Sequence, residues 1–263
     1  MTDEKRVCEC PCTRMIRRVI TGVRRFGVSR LSPGKPEFYC PICGHRGLFK
    51  DKVVSRKPRL VRRDSKCLHC GSCERHRMLY LVLDKLFAGA SDKRGKVLHI
   101  APEACLTPVL TRLFASYETA DLLKPGVDYH EDIQQMSFPD ASYDCVVVSR
   151  VLTIPPDLEA SVREVRRILR KGGCAVIAET HTHAKTREFG SMINGRSREV
   201  GLDILETYRR HFAHVDEIVS SQFDPACQVS NCMVRDGLPA DDYPERVRIP
   251  GTGFMELVAV CRV

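Results

Sequence analysis

The 263-residue chain contains no run of about 18 consecutive apolar residues, which excludes a membrane-spanning helix. Its opening, MTDEKRVCECPC, lacks the apolar core of a secretory signal, so no export is expected from it. No self-similarity recurs at a period of about 20 to 50 residues, which excludes a solenoid or propeller. Low-complexity tracts are absent as well. With 43% apolar and 29% charged residues, the composition is that of an ordinary folded protein and excludes wholesale disorder.

Cysteine, in contrast, is abundant. There are 14, and eight of them fall within the first 73 residues. Without a secretory signal they are expected to stay reduced in a cytoplasmic setting, since thiol buffers there oppose disulfides. Cys145, Cys174 and Cys261 stand in apolar runs and read as small buried hydrophobes.

The densest group carries metal-ligand spacing. Cys40 and Cys43 form one CxxC in YCPICGHRG; Cys67 and Cys70 form another in KCLHCGSCERHR. Each pair is followed by glycine, so each predicts a knuckle in which two thiolates reach one ion. Four thiolates suit tetrahedral Zn2+, with no position left for a reacting water, so the role is structural. A module this small, with little core, needs such a staple. Cys8, Cys10, Cys12 and Cys73 fit no standard four-ligand site of their own and read as spare or weakly bound; a second metal or an iron–sulfur cluster is the alternative that would use them. His45, His69 and His76 lie near the knuckles; any of them could substitute as a ligand, but they read as solvent-facing.

Charge is uneven. Residues 1–77 hold 20 of the 42 Lys and Arg but only 7 of the 33 Asp and Glu. This basic front, which includes the amphipathic stretch Met15 to Val28, suggests nucleic acid or another polyanion as a partner, or simply a solubilised small module.

Three regions follow: a basic N-terminal segment (1–37), the cysteine-rich zinc module with its outgoing helix (38–90), and an α/β domain (91–263). The helix is expected over Arg75 to Phe87, where apolar residues recur at helical spacing. The small polar stretch 88–96 reads as a linker. Strands are then expected at Val97–Ala101, Tyr117–Leu122, His130–Ile133, Tyr143–Ser149, Cys174–Glu179, Val215–Ser220 and Phe254–Cys261. Helices are expected at Glu103–Ala115, Leu158–Leu169 and near Glu199–Phe212. Such alternation implies a mostly parallel sheet covered on both faces, and the continuous β-branched run YDCVVVS is what a buried parallel strand requires. The last two strands, lacking a helix between them, can pair antiparallel.

The first strand and its loop, VLHIAPEACL, occupy the place where nucleotide binders carry glycines, and none is present. His99, Ala101 and Glu103 stand there instead. Asp121 ends the second strand, where an acid accepts hydrogen bonds from ribose hydroxyls. Asp132 ends the third, in reach of an adenine amino group.

FPDASYDCVVVSRVL, the following amphipathic segment and LRKGGCAVI resemble the middle of class I S-adenosylmethionine (SAM) dependent methyltransferases. CxxCGSxERHR combined with LHIAPE resembles, more specifically, a bacterial family of methyltransferase-domain proteins with an N-terminal zinc-ribbon-like segment. The resemblance covers roughly residues 38 to 180. It implies a Rossmann-like seven-stranded methyltransferase sheet with the last strand antiparallel, and SAM at the carboxyl ends of strands one to four. By position, Ala101, Glu103, Asp121, Asp132 and Ser149 map to that pocket. The chain departs from the pattern at SRVLTIPPD: Arg150 replaces a histidine, and Thr153 and Ile154 replace a Glu-His pair.

A methyl acceptor needs alignment and, for a hydroxyl or amine, a base. Glu179-Thr180-His181-Thr182-His183 leaves the fifth strand at the ligand edge. In an extended segment His181 and His183 point the same way, which makes them the candidate base pair. Arg150 can hold an acidic group of the substrate. Phe189 to Arg198, with Asn194-Gly195, reads as a lid. Three readings follow: methyl transfer to a small-molecule or sugar-like acceptor; a non-catalytic fold gripping polyanions; or nucleic-acid methylation, against which the lack of an Asn/Asp-Pro-Pro-Tyr/Phe motif argues.

Overall fold

The computed structural model describes residues 36–87, 89 and 93–263. Cys8, Cys10, Cys12, the Met15 to Val28 stretch and part of the 88–96 stretch lie outside the described residues.

Two short strands, β1 (Phe38–Tyr39) and β2 (Arg46–Gly47), pair across the first CxxC turn. A hairpin of β3 (Phe49–Arg56) and β4 (Arg59–Cys67) leads to α1 (Glu74–Phe87). Alternation follows: β5 (Arg94–Ile100), α2 (Thr107–Leu113), β6 (Phe114–Ala120), β7 (Tyr143–Ser149), α3 (Leu158–Arg167) and β8 (Leu169–Glu179). A second hairpin, β9 (Arg187–Ile193) and β10 (Arg196–Glu199), precedes α4 (Ile204–His211) and β11 (His214–Val219). The chain ends in β12 (Ser230–Arg235), β13 (Leu238–Pro239), β14 (Arg248–Ile249), β15 (Gly253–Met255) and β16 (Leu257–Arg262).

The main sheet runs β11-β16-β8-β7-β5-β6. Strands β6, β5, β7 and β8 are parallel, while β16 runs antiparallel to both β8 and β11. The expected antiparallel pairing of the last two strands is therefore present. Among the described residues the sheet has six strands rather than seven. The strand expected at His130–Ile133 does not form: just before it Tyr129 makes one parallel bridge with Ala120, and within it Asp132 bridges only Gln135. The cause is local: the Asp132 carboxylate accepts from the Gln134 backbone N–H at 2.9 Å and turns the chain away before a ladder can extend.

Strand β7 is the centre. Cys145, Val146, Val147 and Val148 are fully buried, and each valine so buried is worth about 1.5–3 kcal/mol. Cys145, Cys174 and Cys261 are buried in adjoining strands, as their apolar contexts suggested. Helices α1 and α2 cover one face with Met78, Leu79, Val82, Leu83, Leu106 and Leu110. Helices α3 and α4 cover the other with Val162, Val165, Ile204 and Tyr208. Helix α3 starts at Asp157, whose carboxylate accepts from the Ala160 N–H at 2.8 Å, an N-cap fixed by Pro155-Pro156 ahead of it.

A second sheet runs β14-β15-β12-β4-β3, with β13 on β12. Leu60 to Arg63 of β4 pair with Cys232 to Arg235 of β12. The cysteine segment and the C-terminal residues thus share one sheet. The two also share a clasp. Arg77 is wholly buried; its guanidinium lies 4.6 Å over the Phe49 ring and donates to the carbonyls of Ser65, Ser72, Cys227 and Gln228. No helix among the described residues is long and apolar enough to cross a membrane.

Candidate functional site

Three sites lie on this scaffold. The first is the cysteine cluster. Both knuckles close alike: Gly44 N–H bonds the Cys40 carbonyl at 2.9 Å, and Gly71 N–H bonds the Cys67 carbonyl at 3.0 Å. Gly44 and Gly71 have φ of 70° and 73°, the left-handed region that glycine adopts without steric cost. The sulfurs of Cys40, Cys43, Cys67 and Cys70 all lie within 4.8 Å of one another. Cys40 to Cys70 is 3.6 Å and Cys43 to Cys67 is 3.7 Å. A tetrahedral ion with sulfur ligands at about 2.3 Å requires sulfurs about 3.8 Å apart, so the donor set fits such an ion. Burial pushes the Cys43 thiol up to about 11, which opposes ionisation unless a cation compensates. Cys73 stands outside this group; its carbonyl accepts the first N–H groups of α1. His45 and His76 are buried rather than solvent-facing, while His69 is exposed.

The second site is a cavity of about 420 Å³ at the carboxyl ends of β5 and β6. Ala101, Asp121 and Asp132 line it together with Leu122, Ile133 and Ile154. Ala101 has φ of 52°, so the position usually given to glycine does hold a left-handed backbone here, with alanine bearing the strain. One Asp121 oxygen accepts from the N–H groups of Leu123 and Lys124, at 2.9 and 2.8 Å. Glu103 and Ser149 do not line the cavity. Ser149 donates to Glu103 at 2.8 Å, and Arg75 and His76 approach the same carboxylate at 3.3 Å. Burial alone would raise the Glu103 carboxyl, but hydrogen bonds from His76 and His99 and the charges of His76 and Arg75 hold it well below the usual carboxylate range. The loop after β5 is therefore anchored to the helix that leaves the second knuckle.

The third is a cavity of about 370 Å³ at the carboxyl ends of β7 and β8, roofed by the second sheet. Arg150, Thr180, Thr182 and His183 line it, with Arg62 and Phe254 from the roof. His183 Nε2 sits 3.2 Å from Glu199. His181 does not join it. The chain leaves strand geometry after Glu179, so strict alternation ends; His181 is buried with Nδ1 3.2 Å from the Gly201 carbonyl, and burial pushes its imidazole pKa down. Thr180 and Thr182 take the cavity-facing positions instead.

The second and third sites share a wall. Arg150 and Thr153 face the third cavity, whereas their neighbours Val151 and Ile154 face the second. The expected lid is the β9–β10 hairpin, and it spans both: Met192 lines the second cavity, Arg196 and Glu199 the third. Arg198, 1% exposed, fastens the hairpin to this wall by donating to the carbonyls of Leu152, Pro155 and Pro156 and pairing with Glu188 at 2.6 Å. Arg62, Arg77, Arg198, Tyr243 and Phe254 were not singled out from sequence. Only the ERHR string around Arg77 offered a signal.

Residues 109–177 match a family model described as a methyltransferase domain. The span runs from α2 into β8, which supports a methyltransferase domain there. A polyketide synthase-nonribosomal peptide synthetase of Aspergillus clavatus is 34% identical over 85 residues, 32% of this chain and 2% of that protein. The hybrid PKS-NRPS synthetase mpsA of Macrophomina phaseolina is 38% identical over 56 residues, 21% of this chain and 1% of that one. The chain thus spans only a few per cent of the length of these curated relatives. Among solved structures, the 1,6-didemethyltoxoflavin-N1-methyltransferase of Burkholderia thailandensis aligns with TM-score 0.46 and 17% identity, over 72% of this chain and 77% of that one. The YcgJ protein of Bacillus subtilis aligns with TM-score 0.41 and 15% identity, over 71% and 96%.

Proposed function

We propose that the protein is a SAM-dependent methyltransferase acting on a small-molecule acceptor, with one structural zinc held by Cys40, Cys43, Cys67 and Cys70. The observation that carries this reading is the convergence of Asp121 and Asp132 on a single cavity at the carboxyl ends of β5 and β6. Its volume of about 420 Å³ falls in the roughly 300–1,000 Å³ range of small-molecule sites. Carboxylates of Asp121, Glu131 and Asp132 and apolar Leu122, Ile133 and Ile154 in one lining fit a nucleoside, which offers hydroxyls and an amino group around a flat ring.

In this reading Asp121 would accept from the ribose hydroxyls and Asp132 from the adenine amino group. Ala101 would let the backbone approach. When bound, SAM supplies an electrophilic methyl group. The rest is positioning by the chain's own groups. Glu103, tied to Ser149, Arg75 and His76, fixes the loop after β5 that borders the 420 Å³ cavity. The 370 Å³ cavity holds the acceptor. There His183, its Nε2 engaged by Glu199, leaves Nδ1 to take an acceptor proton. Arg150 orients an acidic group.

Calorimetric titration with SAM tests the reading. Saturable binding is expected, weakened at least about tenfold in Asp121→Ala. No binding at millimolar SAM would remove the methyltransferase assignment.

A further inference from the structure

The 370 Å³ cavity has a chemical character that the methyltransferase fold does not dictate. Four arginines line it: Arg62, Arg150, Arg196 and Arg235. Only two carboxylates do, and both are committed. Asp242 holds Arg235 in a two-pronged pair at 2.9 and 3.0 Å. Glu199 serves His183 at 3.2 Å and Arg187 at 3.5 Å. Arg150 and Arg196 form no ion pair among the described residues. Arg62 is 5% exposed; its Nη1 makes only long ion pairs, to Glu74 at 3.8 Å and Glu256 at 4.0 Å, and neither Nε nor Nη1 has a hydrogen-bond partner. The Thr180 hydroxyl is likewise buried without a partner.

A buried guanidinium with two long ion pairs and no hydrogen bond from Nε or Nη1 is left with part of its desolvation cost, which an anion in the cavity would offset. Arg150 is held for that role by its backbone. It follows β7 at φ of 58°, a conformation that costs a non-glycine residue energy, and its N–H bonds the Ala178 carbonyl at 2.9 Å. Beside Arg62, whose guanidinium lies 5.8 Å from the Phe254 ring centroid, the lining is apolar: Tyr243 packs on Phe254 at 4.6 Å between ring centroids, and Met233 joins them.

We infer that this cavity takes a small organic anion, its phosphate or carboxylate head held by Arg62 and Arg150 and its apolar or aromatic body laid against Tyr243 and Phe254. Resting on the reading above, this names the substrate class of the acceptor site. Thr180 supplies a neutral donor to the head. The fork of Arg62 matches either oxyanion, so the head group is the one choice left to experiment.

The test uses the full-length protein and three probes: inorganic phosphate, benzoate and, as an uncharged control, benzyl alcohol. Isothermal titration at constant ionic strength is expected to find one saturable site for phosphate, benzoate or both, and none for benzyl alcohol. Binding of phosphate alone assigns a phosphate head; binding of benzoate alone assigns a carboxylate. Arg150→Gln should weaken the bound anion by at least about tenfold, and Arg62→Lys, which keeps the charge but not the fork, by less. Both variants should bind SAM as the parent does. Absence of anion binding, or binding indifferent to Arg150→Gln, overturns this inference and leaves the SAM site standing. Anion binding without SAM binding would remove the methyltransferase reading instead.

Discussion

Glu179 closes β8 with its carboxyl almost entirely out of water, 1% exposed. One oxygen accepts from the Leu152 N–H at 2.9 Å, holding the wall between the cavities; the other has no hydrogen-bond partner. Burial pushes the carboxyl up from 4.5 to about 7, against the opposing pull of the Leu152 N–H and the Arg150 charge. In the unfolded chain it titrates near its ordinary value. The folded state therefore gains stability from this group below pH about 4.5, loses it progressively as pH rises to about 7, and carries a constant deficit above that. The displacement corresponds to about 3 kcal/mol, an order-of-magnitude upper figure. Glu179→Gln keeps the acceptor for Leu152 and removes the charge. Urea unfolding of both proteins from pH 4.5 to 8.5 measures the difference. The two should be nearly equal at the acid end. At the alkaline end the glutamine variant should be more stable by about 2–3 kcal/mol, or about 1 M in midpoint. Other carboxylates titrate identically in both proteins and cancel. Parallel stability curves across this range would refute the argument, for they would mean that Glu179 stays ionised when folded.

Arg77→Met should cost about 3–5 kcal/mol, because four buried carbonyls lose a charged donor; a loss under about 1 kcal/mol by urea unfolding would contradict the clasp. Ala101→Gly should stabilise by about 0.5–1 kcal/mol, since relief of the left-handed strain exceeds the added chain entropy, and a melting temperature raised by about 1–4 °C reports it. Elemental analysis should find one zinc per chain, Cys67→Ser should lose it, and a visible absorption band from iron would displace the assignment.

The sequence made the central strand and the helices legible because their signals are local. The run at Tyr143–Ser149 corresponds to β7 residue for residue, and the apolar spacing of Arg75 to Phe87 to α1 within one residue. The paired CxxC spacing was equally local, and its four sulfurs converge. Asp121 and Asp132 line one cavity too, Asp121 because it follows β6, and Asp132 although the strand expected to carry it does not form. What was hidden depends on distant partners. Strand β4 reads RLVRRDSKC, too polar to announce burial, and becomes an interior strand only because β12 pairs with it. The roof of the third cavity, with Arg62 and Phe254, was invisible for that reason. Glu103 and Ser149 were placed at the cofactor by analogy of position; Arg75 and His76 draw Glu103 elsewhere. His181 and His183 were paired on an alternation that holds only while the chain stays a strand.

The pairing of β4 with β12 also has a consequence in time. During synthesis β4 emerges early, and Arg77 reaches carbonyls 150 and 151 residues further along. Loops this long close slowly, since ordering the chain precedes any gain from the contact. The knuckles can form on the nascent chain, yet the roof over the third cavity waits for the last strands. The third cavity is therefore roofed only once β12 and β15 have been made, and until then β4 presents an open edge that a neighbouring chain can occupy.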